Sequence, residues 1–190
     1  MFKINDNYLK LPGSYLFSTI AKKVAAYSEA NKDKADNIIR LGIGDVTLPL
    51  SPAVIERLHS AVDEMSKKET FKGYAPDLGY EFLRTAIVEN DYKSRGCDIA
   101  ADEIFISDGA KSDSGNIGDI FAQDNKIAVC DPVYPVYVDT NAMAGRTGVY
   151  DPAAEKWSGV IYMPCTKENN ICPEIPDKTT DIIYSCFPNN

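Results

Sequence analysis

Apolar positions recur at helical intervals along the first hundred residues. Ile20, Val24 and Tyr27 share one face of a helix predicted over residues 18–30, with Ser18 at its start as a candidate cap. Ser51-Pro52 opens a clearer helix, because proline is pre-set for the first helical position, and Ile55, Leu58, Val62 and Met65 form its apolar face. A third helix is predicted after Gly79, carrying Phe82, Leu83, Ala86, Ile87 and Tyr92 and ending near Gly96. Residues 1–17, with Pro12-Gly13 in their middle, read as an arm.

From residue 103 the pattern changes. Ile104-Phe105-Ile106, Ile127-Ala128-Val129-Cys130 and the run from Ile182 to Phe187 are short and almost continuously apolar. Strands buried on both faces read this way, as in a parallel sheet covered by helices. Residues 147–150 and 159–163 are weaker strand candidates, and Asp113 to Phe121 carries Ile117, Ile120 and Phe121 at helical spacing. Strands alternating with helices predict an α/β fold with an open, mostly parallel sheet.

Composition narrows the function classes. The 190 residues carry a net charge of −8, and the longest basic run is two residues. A nucleic-acid backbone demands a basic face that this chain lacks. No apolar run approaches the roughly 20 residues that span a bilayer, and the N-terminus lacks the core of a signal peptide, so a cytoplasmic location is expected. The cysteines at 97, 130, 165, 172 and 186 include no CxxC pair, and His59 is the one histidine, which argues against a zinc site. Cys130 and Cys186 lie near the ends of apolar runs and are expected to be buried thiols.

In open α/β sheets ligands bind beyond the carboxyl ends of the strands, and here those ends carry distinctive residues. After the run at 104 comes Asp108-Gly109-Ala110-Lys111-Ser112-Asp113. It reads either as an ordinary strand-to-helix turn or as an anion site, with small residues, a helix N-terminus and the Lys111 charge. After the run at 127 comes Asp131-Pro132-Val133-Tyr134-Pro135-Val136-Tyr137. Two prolines stiffen it as a loop, and Tyr134 is either a packed core tyrosine or a platform for a flat heterocycle. Pro188-Asn189-Asn190 puts an amide at a third strand end. Three such ends on one sheet edge suggest a site for a planar, phosphate-bearing ligand.

These motifs, together with Tyr8 to Phe17 and Leu41-Gly42-Ile43-Gly44-Asp45-Val46-Thr47, resemble the LL-diaminopimelate aminotransferases over the whole chain. These are fold-type-I enzymes of lysine biosynthesis that use pyridoxal 5'-phosphate. The resemblance implies that residues 1–50 are an arm and helix of the small domain, and that 51–190 begin the cofactor-binding large domain, cut short at its C-terminus. It assigns Ala110 and Lys111 to the cofactor phosphate, Tyr134 to the pyridine ring and Asn190 to the phenolic oxygen. Tyr74 matches a tyrosine that reaches the phosphate held by the partner subunit of a homodimer. Tyr15 and Gly42 match substrate contacts, and Lys111, Tyr134 and Asn190 also border the substrate.

Where the family usually reads Gly-Tyr-Gly-Pro-Glu-Gln-Gly, this chain has Gly73-Tyr74-Ala75-Pro76-Asp77-Leu78-Gly79. The glutamate is implicated in holding the substrate's distal amino group, and Asp77 is one methylene shorter, which withdraws the carboxylate by roughly 1.5 Å. Family members are about twice as long as this chain. The lysine that holds the cofactor, the arginine for the α-carboxylate and the aspartate for the pyridine nitrogen are therefore expected beyond residue 190. The implied reaction is transamination of LL-2,6-diaminopimelate with 2-oxoglutarate to tetrahydrodipicolinate and glutamate, with the 190 residues alone inactive and poorly soluble or partly molten. Two alternatives stay open: an aminotransferase of shifted donor preference, and a non-catalytic half-subunit that pairs with a separate C-terminal half. A Rossmann dinucleotide site fits poorly, because Gly42-Ile43-Gly44 lacks the third glycine.

Overall fold

The chain is organised around β1 (Ile127–Asp131), the middle strand of a three-stranded parallel sheet. β4 (Val160–Pro164) pairs on one side with Ile127 opposite Val160, and β5 (Ile182–Tyr184) on the other with Ile127 opposite Ile182. The start of the second ladder is pinned by a reciprocal contact. Lys126 N–H donates to the Asp181 carboxylate at 2.6 Å, and Asp181 N–H donates to the Lys126 carbonyl at 2.9 Å. Because side chains alternate across a strand, Ile127 and Val129 face one layer while Ala128 and Cys130 face the other. The first layer packs with Val138, Ala142, Trp157, Val160 and Tyr184; the second holds Met163, with Ile161 and Cys165 partly buried against it. The runs at 127 and 159 therefore form the parallel strands that their composition predicts, and the fold is α/β.

The computed structural model describes residues 2–11, 13, 16–41 and 48–186. They fall into two units, Met1–Gly42 with Gly109–Asn190, and Ile43–Asp108. The first unit holds the sheet, α1 (Leu16–Ala30), α4 (Ala110–Asn116) and α5 (Pro135–Met143), together with a short hairpin of β2 (Tyr150–Asp151) and β3 (Lys156–Trp157). α1 begins two residues before Ser18, so that hydroxyl sits inside the first turn and is not its cap. α4 starts at Ala110, three residues earlier than its apolar spacing suggests, and continues as a 3-10 turn over Ile117–Ile120.

Arg146 ties this unit together and is 7% exposed. Its Nε donates to the Ala122 carbonyl at 3.0 Å and its Nη1 to the Asn141 Oδ1 at 3.3 Å. Nη2 donates to the Phe121 carbonyl at 2.5 Å and to that of Gly118. One guanidinium thus satisfies the carbonyls at the end of the 3-10 turn and links them to α5. The fixed fork of five donors makes arginine suited to this task.

The second unit holds α2 (Pro52–Met65) and α3 (Glu81–Ile87). α2 starts with Pro52 at its first position as predicted, and the Ile55, Leu58, Val62 and Met65 stripe lies exposed. α3 runs on through a π turn at Val88–Tyr92 and closes at Gly96, whose φ of +77° supplies the left-handed stop. The segment Ile104–Ile106 corrects the sequence expectation: it is extended but joins no strand among the described residues. Its Ile106 N–H donates to the Leu78 carbonyl at 3.1 Å, Ile104 is buried and Phe105 is exposed. An apolar run by itself does not make a strand, which needs a backbone partner.

Gly79 sits where this segment meets the 73–79 turn. It has φ +92°, and a Cβ there would lie 2.5 Å from Ile106 Cγ1. Gly79→Ala should lower stability by about 1–3 kcal/mol through backbone strain and overlap. Hydrogen exchange should show the loss concentrated in residues 73–106, and unchanged protection there would refute the contact. Arg146→Met removes one donor each from the Gly118, Phe121 and Ala122 carbonyls and from the Asn141 Oδ1, and it should lower the denaturation free energy by about 2–4 kcal/mol.

Candidate cofactor site at the carboxyl edge of the sheet

The carboxyl end of β1 runs directly into the candidate site. Asp131 receives the Cys165 N–H on its carbonyl at 2.8 Å and pairs with Lys156 Nζ through its carboxylate at 2.7 Å. The Asp131-Pro132 peptide bond is cis, and three residues later the chain enters α5. This corrects the reading of residues 131–137 as a loop throughout. Pro135 is the first residue of a helix, not a second stiffener of a loop. The residue before a proline is biased to extended conformations, and Tyr134 accordingly holds φ −65° and ψ 119° as the N-cap of α5.

Lys111, in the first turn of α4, reaches this residue. Its Nζ lies 5.8 Å from the centroid of the Tyr134 ring, within cation–π range. Gly109, preceding α4, has φ +144°, and a Cβ built there meets no atom within 4 Å. The opening of α4 is therefore uncrowded, and Ala110 and Lys111 are both exposed. A cation, a helix start and an aromatic face meet beyond the carboxyl end of a parallel strand, which is where ligands bind in sheets of this kind.

Behind Tyr134 stands a set of groups that the sequence reading passed over. The Tyr137 ring meets Tyr134 edge-on, with centroids 5.7 Å apart and planes at 84°. Its other neighbour is Tyr184 of β5, stacked at 5.3 Å with planes at 24°. Burial pushes the Tyr137 hydroxyl pKa up, and its hydrogen bond with Cys186 adds to the rise. The i, i+3 spacing of Tyr134 and Tyr137 is the signal that would have revealed this pair, once α5 is recognised as a helix.

Tyr74 and Asp77 lie in the other unit, on the stretch before Gly79. Tyr74 is fully exposed, and Asp77 is exposed within a turn closed by Gly79 N–H donating to the Pro76 carbonyl at 2.7 Å. Tyr15, Gly42 and Asn190 lie outside the described residues. Among the cysteines, Cys130 is buried as expected and Cys186 is half-buried. Burial pushes the Cys130 thiol pKa up, and the neighbouring Cys165 thiol adds to the rise.

Comparison with known proteins gives this geometry a context. No family model matches the chain. It is 77% identical over 190 residues to an LL-diaminopimelate aminotransferase of Lachnospira eligens, and 70% identical over 190 residues to one of Agathobacter rectalis, in each case over 100% of the chain and 46% of the relative. Its structure matches L,L-diaminopimelate aminotransferase from Chlamydomonas reinhardtii with a TM-score of 0.83 and 39% identity, over 100% of this chain and 45% of that one. The architecture is thus part of the fold-type-I aminotransferase fold. By sequence the chain is a homologue of the LL-diaminopimelate aminotransferases over its full length, and it spans about half the length of the curated relatives it matches. No helix among the described residues is long and apolar enough to cross a membrane.

The thiols provide a check on the sheet edge. Exposed Cys97 and Cys172 should be alkylated first by iodoacetamide and Cys130 last. Because its pKa is raised, Cys130 should keep its proton when the pH reaches the ordinary thiol value of about 8.5. Mass mapping that found Cys130 among the first sites labelled would contradict the burial described.

Proposed function

We propose that the chain supplies the phosphate and ring grip of a pyridoxal-phosphate aminotransferase acting on LL-diaminopimelate, with 2-oxoglutarate as amino acceptor. The observation that carries the reading is Lys111 set 5.8 Å from the Tyr134 ring, beside the open start of α4. Those groups fit the cofactor chemically. A phosphate dianion calls for a cation and backbone N–H donors, and a pyridine ring calls for a flat apolar face. When bound, the cofactor supplies an electron sink that makes the substrate's α-carbon acidic.

The chain's own residues bind and orient in this reading. Lys111 neutralises the phosphate and the Ala110 N–H donates to it. Tyr134 covers one face of the ring and keeps water from it. Asn190 holds the phenolic oxygen, Tyr74 reaches the phosphate of the partner subunit in a homodimer, and Tyr15, Gly42 and Asp77 contact the substrate. The setting is the cytoplasm, and the partners are small amino and oxo acids. The high identity to relatives named for LL-diaminopimelate supports the substrate. Asp77 and Leu78, where the family usually has glutamate and glutamine, favour one second reading: an altered amino-donor preference.

Two measurements test the proposal. In the first, this chain replaces the matching segment of the Lachnospira eligens relative, and the hybrid is assayed with LL-diaminopimelate, aspartate and glutamate as donors. LL-diaminopimelate is expected to be used best; preference for aspartate or glutamate would favour the second reading. In the second, Lys111→Met in the same hybrid should weaken pyridoxal phosphate by about 10-fold while leaving phosphate-free pyridoxal nearly unchanged, the size expected for one charge-assisted contact. Equal losses for both ligands would remove Lys111 from the phosphate.

A further inference from the structure

We infer that Tyr137 is a positioning residue for the ring platform, fixing the angle of Tyr134 through a three-ring ladder that ends on β5. The inference rests on the reading of Tyr134 as the cofactor platform. Tyr134 lies at a helix start with no side-chain capping bond to hold it. Its backbone is confined by Pro135, but the ring remains free to turn about its side-chain torsions unless a neighbour stops it. Lys111 stands near the ring and is exposed. Tyr137 is half-buried. One helical turn on, its N–H donates to the Tyr134 carbonyl at 3.2 Å, so its distance from the platform is set by the helix itself.

The Tyr137 ring is held from behind. It packs against the main apolar cluster and stacks at 5.3 Å on Tyr184, a buried residue of β5 that pairs with Val129 of β1. Its hydroxyl is engaged by the Cys186 side chain. Edge-to-face contact with the Tyr134 ring at 84° then presents the positive rim of one ring to the negative face of the other, a directional contact that resists rotation. Tyr184 transmits the position of the sheet to Tyr137, and Tyr137 transmits it to Tyr134. No other aromatic ring among the described residues is recorded in contact with Tyr134.

The test uses the hybrid in which this chain replaces the matching segment of the Lachnospira eligens relative, with pyridoxal phosphate, read by equilibrium binding and by the induced circular dichroism of the bound chromophore. Tyr137→Phe keeps the ring and should bind within about twofold of the unsubstituted hybrid, with its dichroism intact, because only the hydroxyl contact is lost. Tyr137→Leu should bind up to about tenfold more weakly, the top of the range for an aromatic pair, and lose most of the induced dichroism. Both are compared with Tyr134→Leu. If Tyr134→Leu binds as the unsubstituted hybrid does, the platform reading itself fails. If Tyr134→Leu weakens binding and Tyr137→Leu changes neither readout, the platform stands and the positioning role of Tyr137 is overturned. Should Tyr137→Leu not melt cooperatively, proton NMR of the unsubstituted hybrid with the cofactor added decides. Persistent cross-relaxation between the Tyr134 and Tyr137 rings is expected, and its loss overturns the inference.

Discussion

The point at which the chain leaves the sheet for α5, and with it the place of Tyr134, depends on the double pairing of β1. A strand hydrogen-bonded on both sides and covered on both faces has no freedom to slide, because a slip of one residue would turn Ala128 and Cys130 into the layer built for Ile127 and Val129. Ile127, Ala128 and Val129 have no exposed surface at all. The place where β1 stops is therefore fixed, and with it the point at which Asp131 releases the chain into α5. Lys156 and the Cys165 amide hold Asp131 from β4's side, so the exit is anchored by an ion pair as well as by the ladder.

From that fixed exit, geometry is handed on in short steps. Pro135 starts a helix, the helix spaces Tyr137 from Tyr134, and β5 supports Tyr137 through Tyr184. Arg146 performs a comparable service at the other end of α5, where it gathers the carbonyls of the 3-10 turn that follows α4. α4 and α5 thus share a buried cation at one end and the Lys111–Tyr134 contact at the other. The two contacts differ in kind: the first sits in the interior with its donors satisfied, the second stands open to solvent.

Much of this was legible in the residues, and the misses have physical causes. Ile127–Cys130 announced a strand because both faces are buried, which removes polar residues from the run. Ile104–Ile106 is just as apolar and joins no strand among the described residues, because composition cannot report whether a backbone partner is present. α5 escaped notice because Val138, Asn141 and Ala142 are all buried, which erases the polar face that betrays most helices. Its true signal was a proline at the first position followed by nine residues free of glycine, up to Gly145. Lys111 and Tyr134 were legible as candidates from motif chemistry, and the structure sets the Lys111 Nζ 5.8 Å from the Tyr134 ring. Tyr137 and Tyr184 were not, because a supporting ring looks like any other core aromatic until the ring it supports is known.

The confinement of Tyr134 has a thermodynamic consequence for any ligand that lies on it. A side chain ordered only upon binding costs its ligand roughly 0.5–1.5 kcal/mol of lost freedom. Here the proline that follows and the helix that begins confine the backbone of Tyr134, and the Tyr137 ring already meets its side chain edge-on in the folded chain. On the platform reading proposed above, that entropy is surrendered once, by the chain as it folds, and a ligand would meet a ring whose orientation is settled before the encounter.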